Sequence, residues 1–166
     1  PGGVNNTLLK EGQSVMVDLG GNFNGYMGDM SRVFSIGKLN EKAYTAHQVC
    51  LDIQNEVASL AKPGTVCEDL YNTAIDMVTR AGFAEYFMGI SQQARFIGHG
   101  IGLEINEMPV LAPRMKQELE PGMVFALEPK IVLPGIGPVG IENSWVVTSE
   151  GVEKLTIGNE EIIELK

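Results

Sequence analysis

The stretch Val15-Met16-Val17-Asp18-Leu19-Gly20-Gly21-Asn22-Phe23-Asn24-Gly25-Tyr26-Met27-Gly28-Asp29 decides how this chain is read. Val15 to Leu19 has the apolar, β-branched character of a buried strand. Gly20-Gly21-Asn22 has the composition of a turn, and residues 26–34 resume a strand. The expectation is a β-hairpin with one aspartate on each arm, Asp18 and Asp29.

Beyond the hairpin the period changes. Ala46, Val49, Cys50, Ile53, Val57 and Leu60 recur at three- and four-residue steps, the stripe of an amphipathic helix. Asn40 is a fitting N-cap and Lys62-Pro63-Gly64 a stop. Thr65-Val66-Cys67-Glu68 has the form of a capping box opening a second helix, with Leu70, Ala74, Met77 and Ala81 on its buried face and Gly82 at its end. The chain then returns to strands. Residues 95–105 are glycine-rich around His99, residues 123–132 carry Glu128, and residues 139–148 carry Glu142. A strand pair bearing two acids therefore opens the chain and another closes it, with a helix pair between. The acids are 11 residues apart in the first pair and 14 in the second, which suggests an internal two-fold repeat.

The acids themselves carry the chemical argument. Asp18 follows Val-Met-Val, Glu128 follows Val-Phe-Ala-Leu, and Glu142 follows Val-Gly-Ile. An ionised carboxylate in an apolar strand needs compensating positive charge, because its desolvation costs several kcal/mol or more. Each acid alone has a plainer explanation: a turn residue for Asp18, a pair with Arg32 for Asp29, an exposed strand face for Glu128, and a pair with Lys130 for Glu142. Together with His99 they form an oxygen-rich donor set with one imidazole, which suits Mn, Co, Fe or Zn.

Composition sets the outer bounds. The chain has 166 residues, 44% hydrophobic and 20% charged, as in ordinary globular domains. No apolar run approaches the ~20 residues that span a bilayer, so a cytoplasmic protein is the simplest expectation. A net charge of −9 argues against nucleic acid or an anionic membrane as partner. Two bound divalent cations would bring it to about −5. Cys50 and Cys67 lack the paired spacing of a zinc site and read as packed, reduced thiols. The opening Pro1-Gly2-Gly3, without methionine, reads as the cut edge of a longer protein. On that expectation, residues 1–166 are a single catalytic domain, the C-terminal part of a longer chain.

The ordered set Val-Asp-Leu-Gly, Gly-Tyr-Met-Gly-Asp-Met-Ser-Arg, Gly98-His99-Gly100-Ile101-Gly102-Leu103-Glu104, Leu127-Glu128-Pro129 and Gly140-Ile141-Glu142-Asn143 resembles the signature of the pita-bread metallopeptidases. That superfamily includes Xaa-Pro aminopeptidase, Xaa-Pro dipeptidase (prolidase), methionine aminopeptidase and creatinase. The match runs from about Gly12 to Leu155. The resemblance implies an α+β pita-bread fold: a pseudo-two-fold repeat with an antiparallel curved sheet covered by helices, the first helix pair lacking here. The apolar sheet left bare would favour a homo-oligomer. The resemblance also implies two divalent metal ions. Asp18 would chelate one, Asp29 and Glu142 would bridge both, and His99 and Glu128 would complete the second. Glu128 would shuttle the proton during attack of water on a peptide substrate.

Three departures qualify it. Where catalytic relatives usually have a histidine seven residues after the ligand histidine, this chain has Asn106, which donates a hydrogen bond but carries no proton. A second histidine, expected about seventeen residues before the first aspartate, falls on Pro1. An arginine common in Xaa-Pro relatives before the last Ile-Glu is Gly140; Arg95 and Arg114 are its candidate replacements, though solvated surface arginines are the plainer reading. His47, the other histidine, reads as an ordinary helix residue. The leading expectation is a metal-dependent aminopeptidase or Xaa-Pro dipeptidase. The alternatives are a non-catalytic or weakly active peptide-binding module on the same fold, and amidine hydrolysis.

Overall fold

The computed structural model describes residues 8–166, so Pro1 and the expectation attached to it lie outside the described residues. The hairpin forms and is longer than expected: β1 (Ser14–Phe23) pairs antiparallel with β2 (Tyr26–Ile36) along its whole length. Gly20-Gly21-Asn22 is not the turn. Those residues lie in the ladder opposite Asp29, Gly28 and Met27, and the chain reverses at Asn24-Gly25, with φ of 52° and 89°. Two successive positive φ values give a turn whose twist matches the strands it joins, and Asn-Gly accepts them at least cost.

Helix α1 (Glu41–Leu60) is capped by Asn40, whose side chain accepts from the Ala43 amide, and it buries Ala46, Cys50, Ile53 and Val57 as the stripe predicts. Leu60 is exposed. Helix α2 (Cys67–Arg80) has no capping box. Thr65 is taken by the Lys62 amide and the Leu60 carbonyl, and Glu68 by Lys116 and the Arg114 amide. Its N-cap is Val66, and a bridge from Val66 to Glu118 ties that end down instead. Both cysteines are buried and free.

The rest is sheet, antiparallel except where the last strand joins β2. In chain order come β3 (Gly98–Gly100), β4 (Glu107–Leu111), β5 (Val124–Leu127), β6 (Lys130–Leu133), β7 (Gly137–Gly140), β8 (Asn143–Val147), β9 (Val152–Lys154) and β10 (Ile163–Leu165). Five of them form a sheet in the order β4-β3-β5-β8-β9, β6 pairs with β7, and β10 lies parallel along β2. Helix α1 packs on β6 and β7, and α2 on β4. Ile53, Leu70, Ile97, Leu111, Phe125, Leu127 and Ile131, each almost wholly buried, fill the space between. Among the described residues no helix is long and apolar enough to cross a membrane.

The two long C-terminal strands expected from sequence are each broken in two, and the glutamates sit at the breaks. Glu128-Pro129 separates β5 from β6, and Ile141-Glu142 separates β7 from β8. Pro129 has no amide hydrogen to continue the ladder. Gly140 has φ of +146°, and a Cβ there would lie 2.4 Å from the Pro129 carbonyl oxygen and 2.9 Å from the Lys130 Cα. The two breaks thus pack backbone against backbone. Gly140→Ala should cost about 2 kcal/mol or more, through overpacking and a disallowed backbone. Thermal denaturation should show a melting temperature lower by roughly 4–8 °C. A melt unchanged from wild type would mean that the backbone at Pro129 yields.

Candidate metal centre

Four acids and one histidine reach one place from separate elements. On the hairpin, Asp18 stands opposite Ser31 and Asp29 opposite Gly20, so both aspartates and Ser31 share one face. Ser31 bridges to Glu142 by backbone pairing, and its hydroxyl donates to Glu142 Oε2 at 2.5 Å. This bridge joins the N-terminal hairpin to the C-terminal strands. The Ser144 hydroxyl, donating to the Asp29 carbonyl, and the Met27 amide, donating to the Gly102 carbonyl, hold the same junction on either side.

His99 lies at the centre of β3. A Cβ at Gly98 would lie 2.4 Å from the Ala126 carbonyl oxygen, so the bare glycine is what lets β5 approach His99 closely. The imidazole Nδ1 donates to the Gly100 carbonyl, leaving Nε2 to face the acids. Nε2 is 3.3 Å from Glu128 Oε1, 3.9 Å from Asp29 Oδ2 and 4.0 Å from Glu142 Oε1. Asp29, His99 and Glu142 each offer a donor atom within 4.8 Å of the others, and all three are buried. Asp29 Oδ1 is buried without a hydrogen-bond partner among the described residues. A buried aspartate with one orphaned oxygen, its other oxygen facing an imidazole that two further carboxylates share, is a donor set that fits a divalent ion.

Asp18 departs from the sequence reading. Its side chain is 59% exposed, so it stands at the mouth of the cluster rather than inside a buried strand. Part of the compensating positive charge comes from the chain itself. Lys130 opens β6 with its ammonium 2.6 Å from Glu128 Oε2, 3.6 Å from Glu142 Oε2 and 3.7 Å from Asp18 Oδ2. The pair of Glu142 with Lys130 was foreseeable; contact with three acids at once was not, because it depends on the break at Pro129. Arg32 does not pair with Asp29. It is buried and donates to the Ser31 and Glu142 carbonyls and to Asn143 Oδ1, anchoring the segment that carries Glu142.

Burial and mutual repulsion govern protonation. Burial pushes the Glu142 carboxyl up to about 7, with Lys130 pulling the other way and Glu128 reinforcing the rise. Burial and the neighbouring Asp18 raise Asp29. For Glu128 burial is outweighed by the His99 hydrogen bond and the Lys130 charge, so it sits below the usual range and is a carboxylate at neutral pH. Burial opposes the charged form of His99, but Glu128 overcomes it and the imidazole is raised.

Residues that sequence reasoning passed over hold these groups in place. Gln54, buried on α1, donates to the Leu127 carbonyl and accepts from Asn143, which in turn accepts from Arg32. A glutamine inside an apolar helical stripe was the signal available. His47 is a buried structural residue: its Nε2 donates to the Glu160 carbonyl and its Nδ1 accepts from the Gly140 amide, with burial keeping it neutral. Asn106 is exposed on the wall of a cavity of about 350 Å³ that it shares with His99, Phe96, Glu107, Met108 and Val110. Arg95 and Arg114 remain on the surface.

Residues 1–149 match the family model described as metallopeptidase family M24. Over 155 residues the chain is 32% identical to an Xaa-Pro dipeptidase of Pyrococcus furiosus, covering 93% of this chain and 43% of that relative. It is 35% identical over 148 residues to an Xaa-Pro dipeptidase of Lactobacillus helveticus, covering 89% and 39%. The structure superposes on X-Pro aminopeptidase of Thermotoga maritima with a TM-score of 0.88 at 29% identity, covering 97% of this chain and 44% of that one. The chain therefore spans less than half the length of the relatives it matches. It has their α+β pita-bread fold, and it belongs to metallopeptidase family M24.

Proposed function

We propose that this chain carries the metal centre of a peptidase that removes the N-terminal residue from peptides, with proline favoured at the second position. The observation that carries this reading is the convergence of Asp29, Glu128 and Glu142 on the His99 imidazole, with Asp18 at the mouth and one buried Asp29 oxygen left without a partner among the described residues. Xaa-Pro dipeptidases and an X-Pro aminopeptidase among the relatives support the substrate class. So does the cavity beside His99, whose Phe96, Met108 and Val110 walls suit an apolar side chain or a prolyl ring.

A divalent ion held there would supply Lewis acidity, lowering the pKa of water and polarising the scissile carbonyl. The remaining work falls to the chain itself. Glu128, ionised and in reach of His99, takes the proton from the attacking water and passes it to the departing amine. Asn106, on the cavity wall, donates a hydrogen bond to the carbonyl oxygen as charge develops on it. The closed breaks at Pro129 and Gly140 keep Glu128 and Glu142 from drifting as the substrate enters. The competing reading, a peptide-binding module without turnover, rests on Asn106 standing where the family resemblance implies a histidine, since an amide cannot carry a proton.

Hydrolysis of Ala-Pro, Ala-Pro-Ala and Met-Ala-Ser by the metal-loaded protein separates these readings. Cleavage of the proline peptides is expected, and metal binding with no cleavage of any would favour the binding module. Glu128→Gln should lower kcat by about 10²–10⁴ while metal is retained; undiminished turnover would remove Glu128 from the proton path. Asn106→His should raise kcat, and a fall would show the amide to be tuned for its own hydrogen bond. Metal affinity should follow pH. Below about 7 Glu142 is largely protonated in the metal-free protein, and His99 holds its proton more tightly than a free imidazole, so binding must expel protons. Calorimetric titration should therefore show affinity rising by roughly tenfold or more from pH 6 to pH 8, with heats that depend on buffer ionisation at pH 6. A flat profile would contradict the ligand assignment.

A further inference from the structure

The carboxylate oxygens divide into two sets. Glu128 Oε1, Glu142 Oε1 and Asp29 Oδ2 face the His99 imidazole. Glu128 Oε2, Glu142 Oε2 and Asp18 Oδ2 face the Lys130 ammonium. Each glutamate thus turns one oxygen to a neutral-capable nitrogen donor and the other to a fixed positive charge. The orphaned Asp29 Oδ1 belongs to the residue on the His99 side.

The two halves place different demands on a cation. The His99 half has a ligand nitrogen and acidic oxygens and nothing in it that must carry a charge at all pH values. The Lys130 half already holds a compact cation with three N–H donors: Glu128 accepts from it at 2.6 Å, and the Glu142 and Asp18 carboxylates lie at 3.6 and 3.7 Å. The lysine is enclosed: its side chain is only 18% exposed, and the Gly140 backbone lies against its Cα. A divalent ion on the same three oxygens would stand within a few ångströms of that ammonium, with like charges in a partly dry pocket. Four carboxylates with one ammonium and one divalent ion leave a formal charge of about −1; a second ion would turn it to about +1 in a site built of acids.

We propose that Lys130 supplies one of the two positive charges that this cage calls for, so that the chain binds a single divalent ion on the His99 side through Asp29, His99, Glu128 and Glu142, while Asp18 serves the lysine. This inference rests on the metal-centre reading above. It replaces the two divalent ions implied by resemblance with one ion and one built-in ammonium.

The test is a count. The metal-free protein is loaded with Mn(II) or, separately, Zn(II), freed of excess by gel filtration, and its ions per chain are measured by mass spectrometry. The Mn(II) form is also examined by electron paramagnetic resonance. The expected result is one ion per chain and the six-line signal of isolated Mn(II). Lys130→Met, which keeps the bulk of the stem and loses the charge, should take two ions and show an exchange-coupled signal. Lys130→Gln is carried in parallel, with circular dichroism on both, so that a folded uncharged variant is in hand. Asp18→Asn should leave the wild-type count at one. Two ions in the wild type, one ion in the folded uncharged variants, or loss of the ion in Asp18→Asn would each overturn the proposal. Two ions in the wild type would leave the metal-centre reading standing; no ion in any form would bring down both.

Discussion

Like charges gathered out of water set the terms for everything else in this molecule. Asp29, Glu128 and Glu142 are almost fully buried, and they crowd around a single imidazole rather than each having a cation of its own. Without a cation the cluster is relieved only by holding protons, as Glu142 does up to about 7, or by drawing in Lys130 and a charged His99. Such an arrangement is costly to folding and stabilising to a bound cation, which is the usual sign of a site maintained for its chemistry. Fold and charge cluster are consequently hard to separate: the contact that closes the molecule, Ser31 to Glu142, is also a contact of the centre.

Rigidity around the cluster comes from buried polar groups that touch no substrate. Arg32, Asn143 and Gln54 form a chain of hydrogen bonds from the hairpin through the Glu142 segment to helix α1. His47 fastens the Gly140 amide from the same helix. Helix α1 thus does more than cover sheet, since it sets the height of both glutamate-bearing breaks. An uncharged imidazole suits that task, because a charged one would add another buried cost.

Much of this was legible in the sequence. The hairpin, both helices and the N-cap at Asn40 follow from apolar periodicity and capping chemistry, whereas acids set in greasy segments pointed only to a cluster, and their grouping with His99 came from the family resemblance. Local chemistry misled where two signals competed. The glycine pair at Gly20-Gly21 looked like a turn, yet Asn24-Gly25 accepts two positive φ values in succession and takes that place. Glu128 and Glu142 read as strand residues because their flanks are apolar, while Pro129 and Gly140 break the ladder beside them. The Thr65–Glu68 box dissolved because Glu68 found Lys116 and the Arg114 amide, partners far along the chain. The reach of Lys130 to three acids could not be read from spacing, since it depends on how the break at Pro129 aims the side chain.

The pairing of β1 with β2 carries a consequence for how this segment can change over generations. Side chains alternate between faces at every step, and both aspartates project from the same one. Losing or gaining a single residue within either arm would swing one aspartate to the opposite surface, or force the whole ladder to slip and turn both away. Length is therefore free to vary only in the loop past Phe23, while the arms can accept exchanges of residue and no change of number.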